Sequence, residues 1–341
     1  MVFNRKTYPN FIELTDLIKT DLFKSDMSFS ATKDSKTWSS NKPVDYRNIF
    51  FNLKVLYEIL KWNKYSNKEL LPNETLGSFI ERHKFSKLFL DSYLLPMSCA
   101  IWSCDSDTIM NFSAESFFSF TKNHGLTSVI GHPQWLSFKN GSVDYVKYIT
   151  SLFLKNGNEI FLNSKVNDIM KLDEKYHVIT NNHEFLFDKL ILATHTDTSA
   201  KLIENLNDER KFYLEQIKYA NAKVTLHSDE SFMPEHKSLW CSWNTMSFDK
   251  NLSCTYWINS LQHIDGEKNI FVSLNCDVKN YYYETQLQHP LLDNNALLVR
   301  KEIDKLNREN NKNLYFIGAW QGHGFHEDGW VSGKVLVNEI L

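Results

Sequence analysis

Apolar positions recur at helical spacing through about the first half of the chain and at strand spacing after it. Behind Asn10, an expected N-cap, Phe11, Leu14, Leu17 and Ile18 share one face. Residues 44–62 repeat the pattern with Ile49, Phe50, Leu53, Leu56, Tyr57 and Leu60, a stripe that reads as core. A third helix is expected over 76–90. A fourth spans 114–121 and stops before Gly125, a left-handed C-cap. A fifth occupies 141–157: Ser142 caps it, Val143, Val146, Ile149, Leu152 and Phe153 form its apolar face, and Gly157 ends it.

From residue 159 the period falls towards two. Residues 159–162 read as a strand. Residues 176–180 and 183–187 flank Asn181-Asn182, a hairpin turn because Asn tolerates positive φ. Residues 189–193 are a short apolar run, the pattern of a strand buried on both faces of a mixed or parallel sheet. Further strands are expected at 223–227, 254–259, 270–274 and 314–317, the last running straight into Gly318. A helix over 330–341 follows.

With 341 residues, 42% of them hydrophobic, the chain can bury one large or two ordinary cores. The net charge of −3 comes without a basic stripe, so no nucleic-acid partner is expected. The five cysteines are irregularly spaced and form no C-x-x-C, which reads as free buried thiols in a reducing compartment. Residues 1–10 have no apolar signal core, and no run reaches the roughly 20 apolar residues of a membrane span. A cytoplasmic protein is expected, with peripheral membrane contact left open and the oligomeric state not legible. There is no G-x-S-x-G elbow and no P-loop, hence no support for serine hydrolysis or nucleoside triphosphate chemistry. His124, His195, His323 and His326 lack helical H-x-x-x-H spacing, so no metal site is expected. Trp102, Trp135, Trp240, Trp243 and Trp257 suit either a substrate wall or domain packing.

Residues 318–333 hold five of the eleven glycines. Glycine costs backbone entropy, so the cluster needs a cause. A loop that lets backbone approach a planar or phosphorylated ligand is one. The apolar strand before it and the helix after it supply a helix N-terminus with free N–H groups and a positive dipole end. Glu327 and Asp328 fall near the first turn, where carboxylates are favoured.

The string Tyr315-Phe316-Ile317-Gly318-Ala319-Trp320, followed by Gly322-x-Gly324-Phe325-His326-Glu327-Asp328-Gly329-x-x-Ser332-Gly333, resembles the C-terminal FAD signature of flavin amine oxidase-like proteins. It is most similar to a bacterial branch known as NAD/FAD-binding proteins or predicted oxidoreductases. Further blocks of that branch are Thr7-Tyr8-Pro9-Asn10-Phe11, Leu95-Pro96-Met97, Asn123-His124-Gly125-Leu126, Leu192-Ala193-Thr194-His195 and Trp240-Cys241-Ser242-Trp243-Asn244. The resemblance implies an α/β, mixed α+β fold: a Rossmann-like FAD/NAD(P)-binding domain with an inserted helical and antiparallel substrate domain. It places the first over 1–30, 141–200 and 311–341, and the second over 31–140 and 201–310. It implies FAD as cofactor, with Gly318, Ala319, Gly324, Gly329, Ser332 and Gly333 close to it. Glu327, Asp328 and the N–H groups after them would meet ribityl or flavin oxygens. Val166 would meet the adenine, and Ala193 and Thr194 the phosphate–ribose portion. Phe325 stands where amine oxidases place an aromatic residue beside the flavin. Phe325 and His326 are the catalytic candidates.

The same family needs G-x-G-x-x-G after its first strand, and an acidic residue some 20 positions later. The sequence has neither: its first glycine is Gly77, and Gly322-x-Gly324 is the only G-x-G. The expectation is an N-terminally incomplete domain lacking one βαβ unit of roughly 30 residues. Two consequences are expected: an apolar slot or a rearranged edge in the parallel sheet, and weakened FAD binding. The implied reaction is dehydrogenation or desaturation of an apolar small molecule or lipid chain by hydride transfer to flavin. A remnant or binding protein that has lost FAD, and a true amine oxidase, are the alternatives.

Overall fold

Residues 1–127, 133–248, 251–309 and 313–340 are described by a computed structural model. In chain order, helices α1 (Pro9–Ile18), α2 (Ile49–Tyr65), α3 (Val143–Lys155), α4 (Asn294–Arg308) and α5 (His326–Ile340) are joined by further helices and by β-structure that includes the short strands β1 (Leu190–Leu192) and β2 (Leu314–Phe316). The chain divides into two units. The first holds Met1–Thr7, Asp21–Ser142 and Tyr219–Asp293; the second holds Tyr8–Thr20, Val143–Lys218 and Asn294–Leu341.

Several stretches change sides relative to the expected boundaries. Residues 1–7 join the first unit because Phe3–Asn4 pairs with Trp135–Phe138. Residues 21–30 join it because Phe29–Lys33 runs parallel to Trp243–Phe248. Residues 201–218 and 294–309 join the second unit, since Arg210 and Asn307 both bond to strand β2. The expected break at 310/311 falls outside the described residues.

The first unit is built on a seven-stranded sheet. Its order is Tyr281–Pro290, Tyr219–His227, Phe271–Leu274, Asn251–Trp257, Trp243–Phe248, Phe29–Lys33 and Lys36–Ser39. Only the Trp243–Phe248 and Phe29–Lys33 pair is parallel. The helical part packs around Trp62, whose ring lies 5.1–6.1 Å from those of Phe79, Phe85, Phe89, Phe117 and Phe118. The helix expected over 76–90 is broken. Leu76–Arg82 ends, Lys84 takes a left-handed φ of 50°, and a new turn starts at Lys87 behind the Ser86 cap. The tryptophans pack the unit: Trp102 against Phe112, Phe117 and Phe120, and Trp240 against Trp257 and Phe271.

The stripe read as core on α2 is not core. Asn52, Val55, Ile59 and Trp62 are the buried face, while Phe50, Leu53, Tyr57 and Leu60 are exposed. The apolar face of α3 is likewise uncovered, and that helix has no buried residue. Residues 159–162 form no strand, because nothing pairs with them; Ile160, Phe161 and Leu162 are exposed. The hairpin at Asn181-Asn182 forms, within a three-stranded sheet of Val166–Leu172, Lys175–Thr180 and Glu184–Phe187.

The sheet of the first unit holds a fully buried histidine. His227 Nδ1 accepts the Asp229 N–H at 3.1 Å, so the proton sits on Nε2, which donates to Ser273 Oγ at 2.7 Å. Ser273 Oγ continues to Thr255 Oγ1 at 2.7 Å. Burial holds the His227 pKa below the ordinary histidine value. The folded state therefore takes up its proton at lower pH than the unfolded chain does. The stabilisation is complete above about pH 6.5, the unfolded pKa, and declines as the pH falls below it. Thermal midpoints measured from about pH 8 to about pH 5 should drop on the acid side, and His227→Gln should flatten that slope. An acid slope unaltered in the variant sinks the assignment.

Candidate functional site

Strands β1 and β2 run parallel, with Leu190, Ile191 and Leu192 beside Leu314, Tyr315 and Phe316. The Leu190 N–H donates to Asn313 O at 2.9 Å and the Ile317 N–H to Leu192 O at 3.0 Å. Both strands thus end at the same edge, which sets Ala193 and Thr194 next to Gly318 and Ala319. Ala193 and Thr194 are exposed. Carboxyl ends of parallel strands are where open α/β sheets bind ligands. Strand β1 differs from the sequence expectation of burial on both faces: Ile191 is exposed, and β2 is its only neighbour among the described residues.

From β2 the chain enters the glycine-dense loop. Gly318 has φ 152°, and a Cβ there would stand 2.7 Å from the buried Trp320 ring. A Cβ on Gly322 would stand 2.1 Å from Asp328 Oδ1. These two glycines are demanded by the loop's own packing. Gly329 and Gly333 are not: their added Cβ atoms would meet only Ala319 and Ile317, at 3.7 and 3.8 Å. They sit four apart on α5, where glycine costs on the order of 1 kcal/mol each, and the loop's own packing does not require them. Ser332 Oγ accepts the Gly318 N–H at 3.1 Å and donates to Gly329 O at 2.8 Å, tying the strand end to the helix.

Helix α5 begins at His326, four residues before the expected start, because Asp328 caps it. Asp328 Oδ2 accepts the N–H groups of His323 and Phe325 at 3.0 and 2.9 Å. Burial raises the Asp328 pKa, although those two N–H bonds work against the rise. The Glu327 carboxylate caps a different helix. It accepts from Asn10 N, Asn10 Nδ2 and Phe11 N at 3.0, 2.7 and 2.9 Å, at the start of α1. Burial, with Asp328 and Glu327 nearby, holds the Tyr8 phenol far above its ordinary value. The His326 ring lies edge-on to Phe11 at 5.9 Å. Phe325 is half-buried, with its carbonyl accepting Gly329 N–H at 3.2 Å. Val166 opens the three-stranded sheet and is half-buried.

The other edge of β2 carries no strand among the described residues, yet it is no apolar slot. Asn307 on α4 bonds both backbone groups of Phe316: its Oδ1 accepts the N–H at 3.2 Å and its Nδ2 donates to the carbonyl at 2.7 Å. Gln321 Nε2 donates to the same carbonyl at 3.0 Å. Arg210 Nη1 donates to Leu314 O at 2.6 Å, with its guanidinium 4.7 Å above the Phe316 ring. Side chains therefore occupy the hydrogen-bonding positions of a neighbouring strand. Sequence reasoning missed Arg210, Asn307 and Gln321. A polar Asn at a buried position of an amphipathic helix is a signal for one of them, once the helix register is known. Beside this edge lies a cavity of about 400 Å³ lined by Arg300, Asp304, Arg308, Gln321, Asp328 and Glu339, among others.

This combination of parallel strand ends, glycine loop and helix N-terminus is that of an FAD-linked α/β fold. The family model for flavin containing amine oxidoreductases matches residues 12–292, and the chain belongs to that family. Solved structures similar over nearly the whole chain share the fold. Cyclohexylamine oxidase from Brevibacterium oxydans IH-35A is 10% identical (TM-score 0.67, covering 100% of this chain and 87% of that one). A putrescine oxidase A394C mutant is 10% identical (TM-score 0.68, 99% and 86%). The CLA-producing fatty acid isomerase from P. acnes is 11% identical (TM-score 0.67, 100% and 86%). No curated protein sequence matches the chain. The family match ends before the glycine loop, which the structural likenesses do cover.

The chain is thus an FAD-dependent oxidoreductase by family, and its residues fit one half of an FAD cradle. The fit rests on Gly329 and Gly333, which the protein's own packing leaves free to be larger, and on the first-turn N–H groups of α5, which have no acceptor within the helix. The glycine motif of the other half has no counterpart in the sequence.

Proposed function

We propose that the chain oxidises or desaturates an apolar substrate, a fatty acyl or lipid chain rather than a small amine, with FAD held at the carboxyl ends of β1 and β2. FAD, when bound, supplies the two-electron acceptor for a hydride from a substrate C–H bond. Gly318, Ala319, Ala193 and Thr194 would allow close backbone approach to it, as would Gly324, Gly329, Ser332 and Gly333. The N–H groups that open α5 would face its electron-rich edge. Val166 would lie at the adenine end. Phe325 would offer an apolar wall without a hydroxyl. The His326 side chain makes no hydrogen bond among the described residues and would take the proton that leaves with the hydride.

One observation carries the preference for a neutral substrate. Both carboxylates of the loop, Glu327 and Asp328, are committed to backbone N–H groups. Neither remains to pair with an ammonium group, whose desolvation would then go uncompensated. The test is anaerobic bleaching of flavin by FAD-loaded protein, with a monounsaturated phospholipid in one arm and cyclohexylamine in the other. Bleaching by the lipid supports the reading. Bleaching by the amine alone, or by neither, overturns it.

A further inference from the structure

The uncovered stripe of the first unit has a shape and a charge of its own. Tyr46, in the single turn before α2, and Phe50, Leu53, Tyr57 and Leu60 on α2 follow one another at spacings of four, three, four and three. That spacing lays them along one line of the helix surface, opposite the buried Asn52, Val55, Ile59 and Trp62. Their exposures are 84%, 80%, 46%, 68% and 50%. Isolated exposed apolar residues are ordinary, but a continuous line of five, three of them aromatic, is a contact surface. The helix is about 25 Å long, and no helix of the described residues is long and apolar enough to cross a membrane.

Charge says what the surface meets. Residues 42–68 carry Lys42, Arg47, Lys54, Lys61, Lys64 and Lys68 against only Asp45 and Glu58, in a chain whose net charge is −3. Both acids are occupied. Asp45 pairs with Arg47 at 2.8 Å and Glu58 with Lys61 at 3.9 Å. Lys42, Lys54, Lys64 and Lys68 make no ion pair among the described residues. Lys54 and Lys64 lie on the same side of the helix as the apolar line, and Lys42 and Lys68 flank its two ends. A second copy paired on this stripe by a two-fold axis would set lysines against lysines. An anionic surface with an apolar interior would satisfy both features, with aromatic rings at the depth of the head groups.

We propose that α2 and the turn before it dock the protein flat on an anionic phospholipid bilayer, with Phe50, Leu53 and Tyr57 inserted and Lys54 and Lys64 on the head groups. This surface is independent of the substrate proposed above and stands whichever substrate is oxidised.

The test is co-sedimentation of the whole chain with vesicles of phosphatidylglycerol and phosphatidylcholine, against vesicles of phosphatidylcholine alone. The wild type should bind the anionic vesicles and lose most of that binding in high salt. The triple variant Phe50→Ser, Leu53→Ser, Tyr57→Ser should bind at least about tenfold more weakly. Its circular dichroism should match the wild type, since none of the three is buried. Lys54→Glu with Lys64→Glu, which leaves the apolar line untouched, should erase the preference for anionic vesicles. Three results overturn the proposal: no wild-type binding to anionic vesicles, equal binding by both variants, or a wild-type dimer that the triple variant converts to monomer.

Discussion

Arg210→Met should destabilise the second unit by about 3–5 kcal/mol, the cost of stripping a buried carboxylate of its cation. Arg210 and Asp208 are both buried, with side-chain exposures of 3% and 2%, and their pairing is bidentate, at 2.8 and 2.7 Å. Methionine matches the stem in volume but removes the guanidinium bonds to Asp208 and to Leu314 O. The amide of Ile317 bonds across to β1 and reports the β1–β2 pair, so its hydrogen exchange should accelerate along with the fall in unfolding midpoint. The double variant Asp208→Asn, Arg210→Met should recover part of the loss, because the buried carboxylate that Arg210 paired with is then neutral. A loss below about 1 kcal/mol in the single variant would show the pair to be solvated after all.

Asn307→Leu comes next, at about 2–3 kcal/mol. Leucine fills the space between α4 and β2 but offers nothing to the backbone of Phe316. The carbonyl keeps Gln321 as a donor; the N–H has no other acceptor among the described residues and stays buried. The size of the effect comes from that N–H, since an unmade buried bond costs more than a made one contributes. Asn307→Ser, small enough to admit water, should cost less than the leucine variant in urea unfolding at unchanged m. Equal midpoints for wild type and Asn307→Leu would mean that Asn307 does not hold the edge of β2.

What could be read from the sequence was what local chemistry decides. The hairpin at Asn181-Asn182 follows from turn residues between two alternating runs, and β1 and β2 from short apolar runs. The face of α2 was misread because periodicity finds a stripe without saying whether anything covers it. Its buried face includes Asn52, which no hydrophobic count selects. Strand Tyr281–Pro290 went unanticipated because it is an edge strand exposed on nearly every residue, so it carries no alternation to detect. In the loop, glycine density pointed to close approach, and two of the five glycines prove to serve Trp320 and Asp328 instead. The commitment of Glu327 to Asn10 and Phe11 joins residues more than 300 positions apart, beyond the reach of any local pattern.

The central claim is that the ends of β1 and β2 with the first turn of α5 form the flavin site of this family member. Equilibrium titration with FAD, followed by flavin fluorescence, tests it most directly when Ala193→Glu is run beside the wild type. Ala193 is exposed, so the variant should fold, and its carboxylate would stand where the phosphate–ribose portion of the cofactor is proposed to lie. A flavin site at these strand ends predicts saturable wild-type binding, and at least about a tenfold loss in Ala193→Glu. Absence of saturation, or superimposable curves for the two proteins, would contradict it.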